Sequence, residues 1–370
     1  MIVSRSIKIS FKILKCTAAR NIHHLSRTFD KEIKMTLNPR ASGEFIVKHA
    51  KHLSIDPNGI QNLVEKVIDG IKSKQIDIEN FSQHEHHPSA NDEYAPNWIF
   101  LIDTLNFCFW TPGDTTKWKV DGNTGYFALC AAINRAMKEG IDITNPAYYS
   151  NITTGEFERI LRSDDGLTKC PLIEERVGIL HDVGKKLLTK FDGNFKNCVM
   201  EAKNSAQTLI KLVVDDFPCY KDEAIYCNES VAIYKRVQIL VGDIWSCYRG
   251  ENLGQFDDIQ TVTMFADYRV PQVLVHFGAI KYSNELLELL KKDTILANGS
   301  PEEVEIRGAS IYVVEQLKDL IRHEINEHHP DLSTKHVNSI LLDHFLWDYR
   351  RRFANELEYI PFHKTISIYY

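Results

Sequence analysis

Apolar residues fall three and four positions apart along most of this chain, the spacing that lines one face of an α-helix. Ile60, Leu63, Val64, Val67, Ile68 and Ile71 make the first such face, and the pattern returns over 172–191, 205–217, 232–248, 271–282, 285–292, 308–328 and 337–357. Asp121-Gly122, between apolar stretches at 118–120 and 125–127, predicts a small hairpin that feeds a helix over 128–138. Segment 97–110, NWIFLIDTLNFCFW, is dense in aromatics. Asp103 and Asn106 interrupt it, either as buried hydrogen-bonding residues or as part of a pocket. Residues 82–96 read as a loop in which His84, His86 and His87 cluster. With no internal repeat and no low-complexity linker, the pattern predicts one mainly α-helical domain over 35–370 with at most a few short strands.

Composition changes the picture at the N-terminus. Arg5, Lys8, Lys12, Lys15, Arg20 and Arg27 precede the first acid, Asp30, in a serine-containing stretch. Residues 1–34 therefore read as a mitochondrial transit peptide or as a plain extension ahead of a second start at Met35. Both readings stand, and the expected location is cytoplasmic with mitochondrial targeting through this leader. Elsewhere, 44% hydrophobic residues suit a packed globular protein, and a net charge of −6 argues against a whole-protein grip on nucleic acid. Charges break every apolar run before 18 residues, so no membrane span is expected. The eight cysteines never form C-x-x-C and are scattered like small buried apolar residues.

Four places could carry chemistry. In TVTMFADYRVPQVLVHFG (261–278), Asp267 stands between apolar blocks, where a carboxylate is either desolvated for chemistry or caps the helix that Pro271 begins. His181-Asp182 in HDVGK matches the string of HD metal-dependent phosphohydrolases, or is a solvent-facing helical segment. Lys235-Arg236 beside Tyr234 could hold a phosphate or form a solvated basic face. In SILLDHFLWDYRRR (339–352), Asp343 and Asp348 stand among large apolar residues, where acids usually meet donors.

Taken together, MFADYRVPQVL, SILLDHFLWDY, PNWIFLIDTLNFCFW, NSAQTLIKLVV, YKRVQILVGDIW and IPFHKTISIYY resemble the queuosine salvage proteins, the queuosine 5′-phosphate N-glycosidases. The resemblance runs from about residue 38 to 370. It implies a mainly helical fold resembling DNA glycosylases, and hydrolysis of the N-glycosidic bond of queuosine 5′-monophosphate to release queuine for tRNA modification. By motif it implies Asp267 as nucleophile or transition-state stabiliser. Phe265, Asp343, His344, Asp348 and, in the preceding loop, His84 are the implied queuine-binding residues. It implies no metal and no organic cofactor, and a small nucleotide as partner, with no DNA, intact tRNA or membrane. Lys235 and Arg236 remain the sequence's suggestion for the phosphate. An HD-type metal phosphohydrolase and a non-catalytic RNA-binding protein are the alternatives.

Overall fold

Helix-start chemistry repeats along the fold. The computed structural model describes residues 35–113, 116–335 and 337–370. Asn38, Asp56, Ser205, Ser283, Ser300 and Asn338 each stand one residue ahead of a helix and accept from a backbone N–H inside its first turn. Such a side chain satisfies a donor that helix geometry leaves open. Proline follows the cap directly in Pro39–His49, Pro57–Lys72 and Pro301–His328, where its missing N–H costs nothing. Fifteen α-helices are found among the described residues, with strands of two to four residues only.

The long helix Pro301–His328 is the axis of residues Leu37–Tyr370, which form one compact unit. Sixteen of its residues are buried, including Glu303, Glu305, Arg307, Glu315 and Lys318, so its interior face is partly ionic. Gly308 lets Pro39–His49 approach closely: a Cβ there would lie 2.5 Å from Ile46 Cδ1. Gly59 does the same for Pro57–Lys72, since its Cβ would fall 2.1 Å from the Gly278 carbonyl carbon.

Several expectations needed correction. The helix expected over 271–282 spans only Val270–His276, and Ile280–Tyr282 is a strand antiparallel to Leu53–Ile55. Gly278, at φ +80, turns the chain between them. The helix expected from 232 begins at Lys235, because Glu229–Ala232 is paired with Glu223–Tyr226. Helix Pro301–His328 starts well before 308, capped by Ser300. The hairpin at Asp121-Gly122 forms as expected, with Lys119–Val120 against Asn123–Thr124. The leader 1–34 lies outside the described residues.

A buried ion network ties these elements together. Arg307 Nε donates to the Ala266 carbonyl at 3.1 Å, and its two terminal nitrogens reach Asp222 at 3.0 and 2.6 Å and Glu303 at 3.0 Å. Asp222 in turn accepts from the Lys235 backbone N–H at 3.1 Å. The Tyr370 ring closes over the guanidinium at 4.0 Å. Buried charges survive only when paired and fully hydrogen-bonded, and this network meets that condition.

Candidate active site

Asp267 follows the buried extended run that ends at Ala266, whose carbonyl Arg307 holds. Its Oδ1 accepts the N–H groups of Arg269 and Val270, both at 2.8 Å. The capping and the chemical readings therefore fall on different oxygens of one carboxylate. Oδ2 has no hydrogen-bond partner among the described residues, and the side chain is partly open to solvent. Burial raises the pKa of this carboxyl, opposed by the Lys235 ammonium, the two amides and Arg269.

Asp343 lies beside it. Its Oδ1 accepts from the Phe265 N–H at 3.0 Å, which joins the Ser339–Arg352 helix to the Asp267 segment. Burial, and then the Asp267 charge, raise its pKa well above the usual carboxylate range. Burial shifts both neighbouring carboxyls upward, and the shift at Asp343 is the larger.

Lys235 completes the group. Burial lowers its pKa to about 8, against the charges of Asp267, Asp103 and Asp343. Its Nζ donates to the Asn106 carbonyl at 3.3 Å. Arg236 points elsewhere: its terminal nitrogens donate to the carbonyls of Thr104 and Cys219, and its guanidinium sits 5.1 Å over Phe107 and 4.8 Å over Tyr220. This corrects the expected Lys235-Arg236 phosphate pair, because Arg236 is fully committed to the interior and the Lys235 charge is drawn to acids. An adjacent pair of cations in a sequence carries no information on which way each side chain turns.

Two further acids support the floor of the site. Asp103 is fully buried, and neither of its oxygens makes a hydrogen bond of ordinary geometry. Asp243 lies near the Tyr126 hydroxyl, which opposes the effect of burial on its carboxyl. Burial raises both carboxyls, Asp243 to about 8, and the Asp243 charge adds to the effect on Asp103. Of the pair, Asp103 was legible in the sequence as a polar break in an apolar run; Asp243 lay in a quoted motif without a role.

The Ser339–Arg352 helix supplies the opposite wall through Asp343, His344, Trp347, Asp348 and Arg351, a stripe set by helical spacing. The His344 ring centroid is 5.8 Å from that of Phe265. Trp347 meets Phe127 edge-on at 5.5 Å, and the Arg351 guanidinium lies 4.4 Å over the same Phe127 ring. Asp348 is solvent-accessible, yet the protein around it raises its pKa despite Arg351 and Arg352. Access combined with desolvation is what the wall of a concave cleft produces.

His84 closes the third side. Its ring stacks on Phe127 at 3.9 Å with only 4° between the planes. Burial, then the charges of His86 and Arg351, lower its pKa, so it presents a neutral ring. Its neighbours hold the loop: His87 Nδ1 donates to the Phe81 carbonyl at 2.9 Å and Nε2 accepts from Tyr126 at 3.1 Å. Burial lowers the His87 pKa to about 3, which fixes that neutral arrangement. The histidine-rich loop is thus an aromatic corner.

Phe265, Asp267, Asp343, His344 and Lys235 are joined by contacts or electrostatic reach, His84 meets Trp347 and Arg351 through the Phe127 ring, and Arg236 turns into the interior. Sequence reading missed Tyr126, Phe127 and Trp347 as wall residues; nothing separates such aromatics from core ones before the chain is folded. His181 Nε2 donates to the Ile152 carbonyl at 2.7 Å, and Asp182 is exposed. Among the described residues, no group of three or more His, Cys, Asp or Glu side chains could hold a metal ion. No helix among them is long and apolar enough to cross a membrane.

A family model described as queuosine salvage protein matches residues 86–370. A Bos taurus protein named queuosine 5′-phosphate N-glycosylase/hydrolase is 47% identical over 339 residues, covering 90% of this chain and 99% of its own length. Proteins of the same name from Mus musculus and Sphaerobacter thermophilus are 43% and 33% identical, covering 90% and 88% of this chain and 99% and 95% of their own.

Proposed function

The chain belongs to the queuosine salvage protein family, and from that premise we propose that it hydrolyses the N-glycosidic bond of queuosine 5′-phosphate and releases queuine. Breaking a ribosyl–nitrogen bond builds positive charge on C1′ and the ring oxygen. Asp267 supplies the opposing charge through Oδ2, while the two amides on Oδ1 prevent the carboxylate from rotating. That division of labour between two oxygens is the observation that carries the reading.

Water adds its hydroxyl to C1′, and its other proton ends on the nitrogen of the departing base. Asp343, whose carboxyl burial pushes towards its neutral form, donates a hydrogen bond to the base as negative charge develops on it. Phe265 and His344 flank the base, and the neutral His84 ring stacked on Phe127 forms the far wall. Asp348, at the open end, suits the cationic amine of the queuine side arm. No residue role in this scheme requires a metal ion. The acidic net charge favours a free nucleotide over intact tRNA as substrate.

Mass spectrometry for queuine after incubation with queuosine 5′-phosphate, with and without EDTA, is the test. Release that survives EDTA supports the reading; release lost with EDTA favours metal-dependent hydrolysis. In this scheme the protein works in the cytoplasm, and the basic leader sends part of it to mitochondria. Fusing residues 1–34 to a fluorescent reporter checks that address, and diffuse signal would count against it.

A further inference from the structure

We propose that residues 360–370 form a strap that positions Asp267, with the Phe362 and Tyr370 rings as its two grips. The proposal rests on the reading of the function above and adds two positioning residues to it. The run 262–267, which ends at the catalytic carboxylate, belongs to no helix and no strand. No ladder of backbone hydrogen bonds therefore fixes it, and its polar groups are held from outside: Thr263 by Gln238, Phe265 by Asp343 and Ala266 by Arg307.

One grip lies after Asp267. Gln272 Nε2 donates to the Ile360 carbonyl at 2.5 Å and reaches that of Leu357 at 3.5 Å, which ties helix Val270–His276 to the start of the strap. The Phe362 ring lies 5.4 Å from that of Tyr268, and the Arg269 guanidinium stands 4.2 Å over Phe362. These contacts bear on the carboxylate directly, because the Arg269 and Val270 amides are the two donors to its Oδ1.

The other grip lies before Asp267. The Arg307 guanidinium, whose Nε holds the Ala266 carbonyl at 3.1 Å, stands 4.0 Å over the Tyr370 ring. Tyr370 is buried, and its hydroxyl has no hydrogen-bond partner among the described residues, so the ring is the part that serves. Its backbone oxygen accepts from the Cys108 N–H at 3.0 Å, two residues beyond the Asn106 carbonyl that receives Lys235 Nζ. Between the grips the strap is pinned to the body of the protein, where the Leu296 N–H donates to the Lys364 carbonyl at 2.8 Å and the Ser367 hydroxyl meets Asn298 at 2.9 Å.

The peptide is thus gripped on both sides of Asp267, and release of either side lets the carboxylate move. A catalytic group displaced by about 1 Å can cost about 10²-fold in rate. Substrate affinity suffers less, because the base-binding residues of the Ser339–Arg352 helix keep their own supports.

Wild type, Tyr370→Leu, Tyr370→Phe and Phe362→Leu are compared by queuine release from queuosine 5′-phosphate, by calorimetric titration with queuine and by hydrogen exchange. The titration counts binding-competent sites, so kcat is expressed per site and any misfolded fraction drops out. Tyr370→Leu lowers kcat per site about 10- to 100-fold while KM changes less than about 3-fold, and Tyr370→Phe, which keeps the ring, recovers most of the loss. In Tyr370→Leu, exchange quickens over 265–272 and not over the helix Ala206–Asp216. A loss of activity that tracks the number of queuine sites, with kcat per site unchanged, shows a structural role alone and overturns the proposal. Unchanged exchange over 265–272 overturns it as well. If Tyr370→Leu does not fold, Phe362→Leu decides, since this half-buried side chain tolerates truncation better. There a smaller fall in kcat per site with quickened exchange supports the strap, and wild-type values of both overturn it. If the wild type releases no queuine, the functional reading fails, while an exchange response confined to 265–272 still supports the strap.

Discussion

Arg307 grips Asp222 with both terminal guanidinium nitrogens, at 3.0 and 2.6 Å, in a setting where neither side chain is more than 6% exposed. The pair bridges the two segments that carry the charges of the site, because Arg307 also holds the Ala266 carbonyl and Asp222 the Lys235 amide. Asp222→Ala leaves Arg307 with Glu303 as its remaining acid. Removing one partner from such a pair costs about 3–5 kcal/mol, so urea unfolding should show a loss of that order. A loss below about 1 kcal/mol, the range of an exposed pair, would show that the network is not holding these segments.

Asp267→Asn keeps an oxygen for the Arg269 and Val270 amides and removes the charge on the free side. Asn caps about as well as Asp, so the melting temperature should change little. Turnover should fall about 10³-fold or more, by analogy with removal of a preorganised electrostatic group. Queuosine 5′-phosphate affinity should fall much less, since the base-binding residues remain. Wild-type turnover in this variant would remove Asp267 from the chemistry.

Asp243 holds its proton to about pH 8 in the folded protein against an ordinary value of 3.8. Between those values the native state binds more protons than the unfolded chain, so this group's contribution is full below the unfolded value and is lost as pH rises through the folded one. Asp243→Asn cannot titrate. Relative to wild type, it should therefore gain unfolding free energy between pH 5 and pH 8, measured by urea denaturation at both. A constant difference between the two proteins across that window would show that Asp243 is ionised throughout.

Gly242 lies on the Lys235–Cys247 helix under the Phe265 ring, where a Cβ would come 2.9 Å from Phe265 Cζ and 3.2 Å from Ile340 Cγ2. Alanine improves the helix by about 0.5–1 kcal/mol, but overpacking costs about 1–3 kcal/mol, and the second effect wins. Gly242→Ala should lose stability modestly and bind queuine more weakly, because Phe265 is pushed towards the base. Titration calorimetry with queuine reads this, and unaltered affinity would mean that Phe265 does not contact the base.

The long helices were legible because a period of 3.6 repeats many times within each: 172–191 became Ile173–Lys190 and 205–217 became Ala206–Asp216. Strands such as Ile280–Tyr282 are too short to show a period, and their apolar residues were counted into the preceding helix. At the candidate site, motif resemblance pointed to Asp267, Asp343 and His344, but it could not say that one Asp267 oxygen caps a helix while the other is free. The strap was hidden for a related reason. Arg307 and Tyr370 are 63 positions apart, and their contact is one that no local pattern contains.

The strand pair between Leu53–Ile55 and Ile280–Tyr282 has a consequence in time. Asp56 and Lys281, which flank it as an ion pair, are 225 positions apart, so the ribosome must deliver most of the chain before this ribbon can close. The cleft waits longer still, since His84 must await Asp343 and Arg351. Folding dominated by such distant partners is slow, and early-made helices remain exposed meanwhile. A nascent chain arrested after Asp267 but before Asp343 is therefore a client for chaperones, because it carries one of two neighbouring acids without the helix that packs against it.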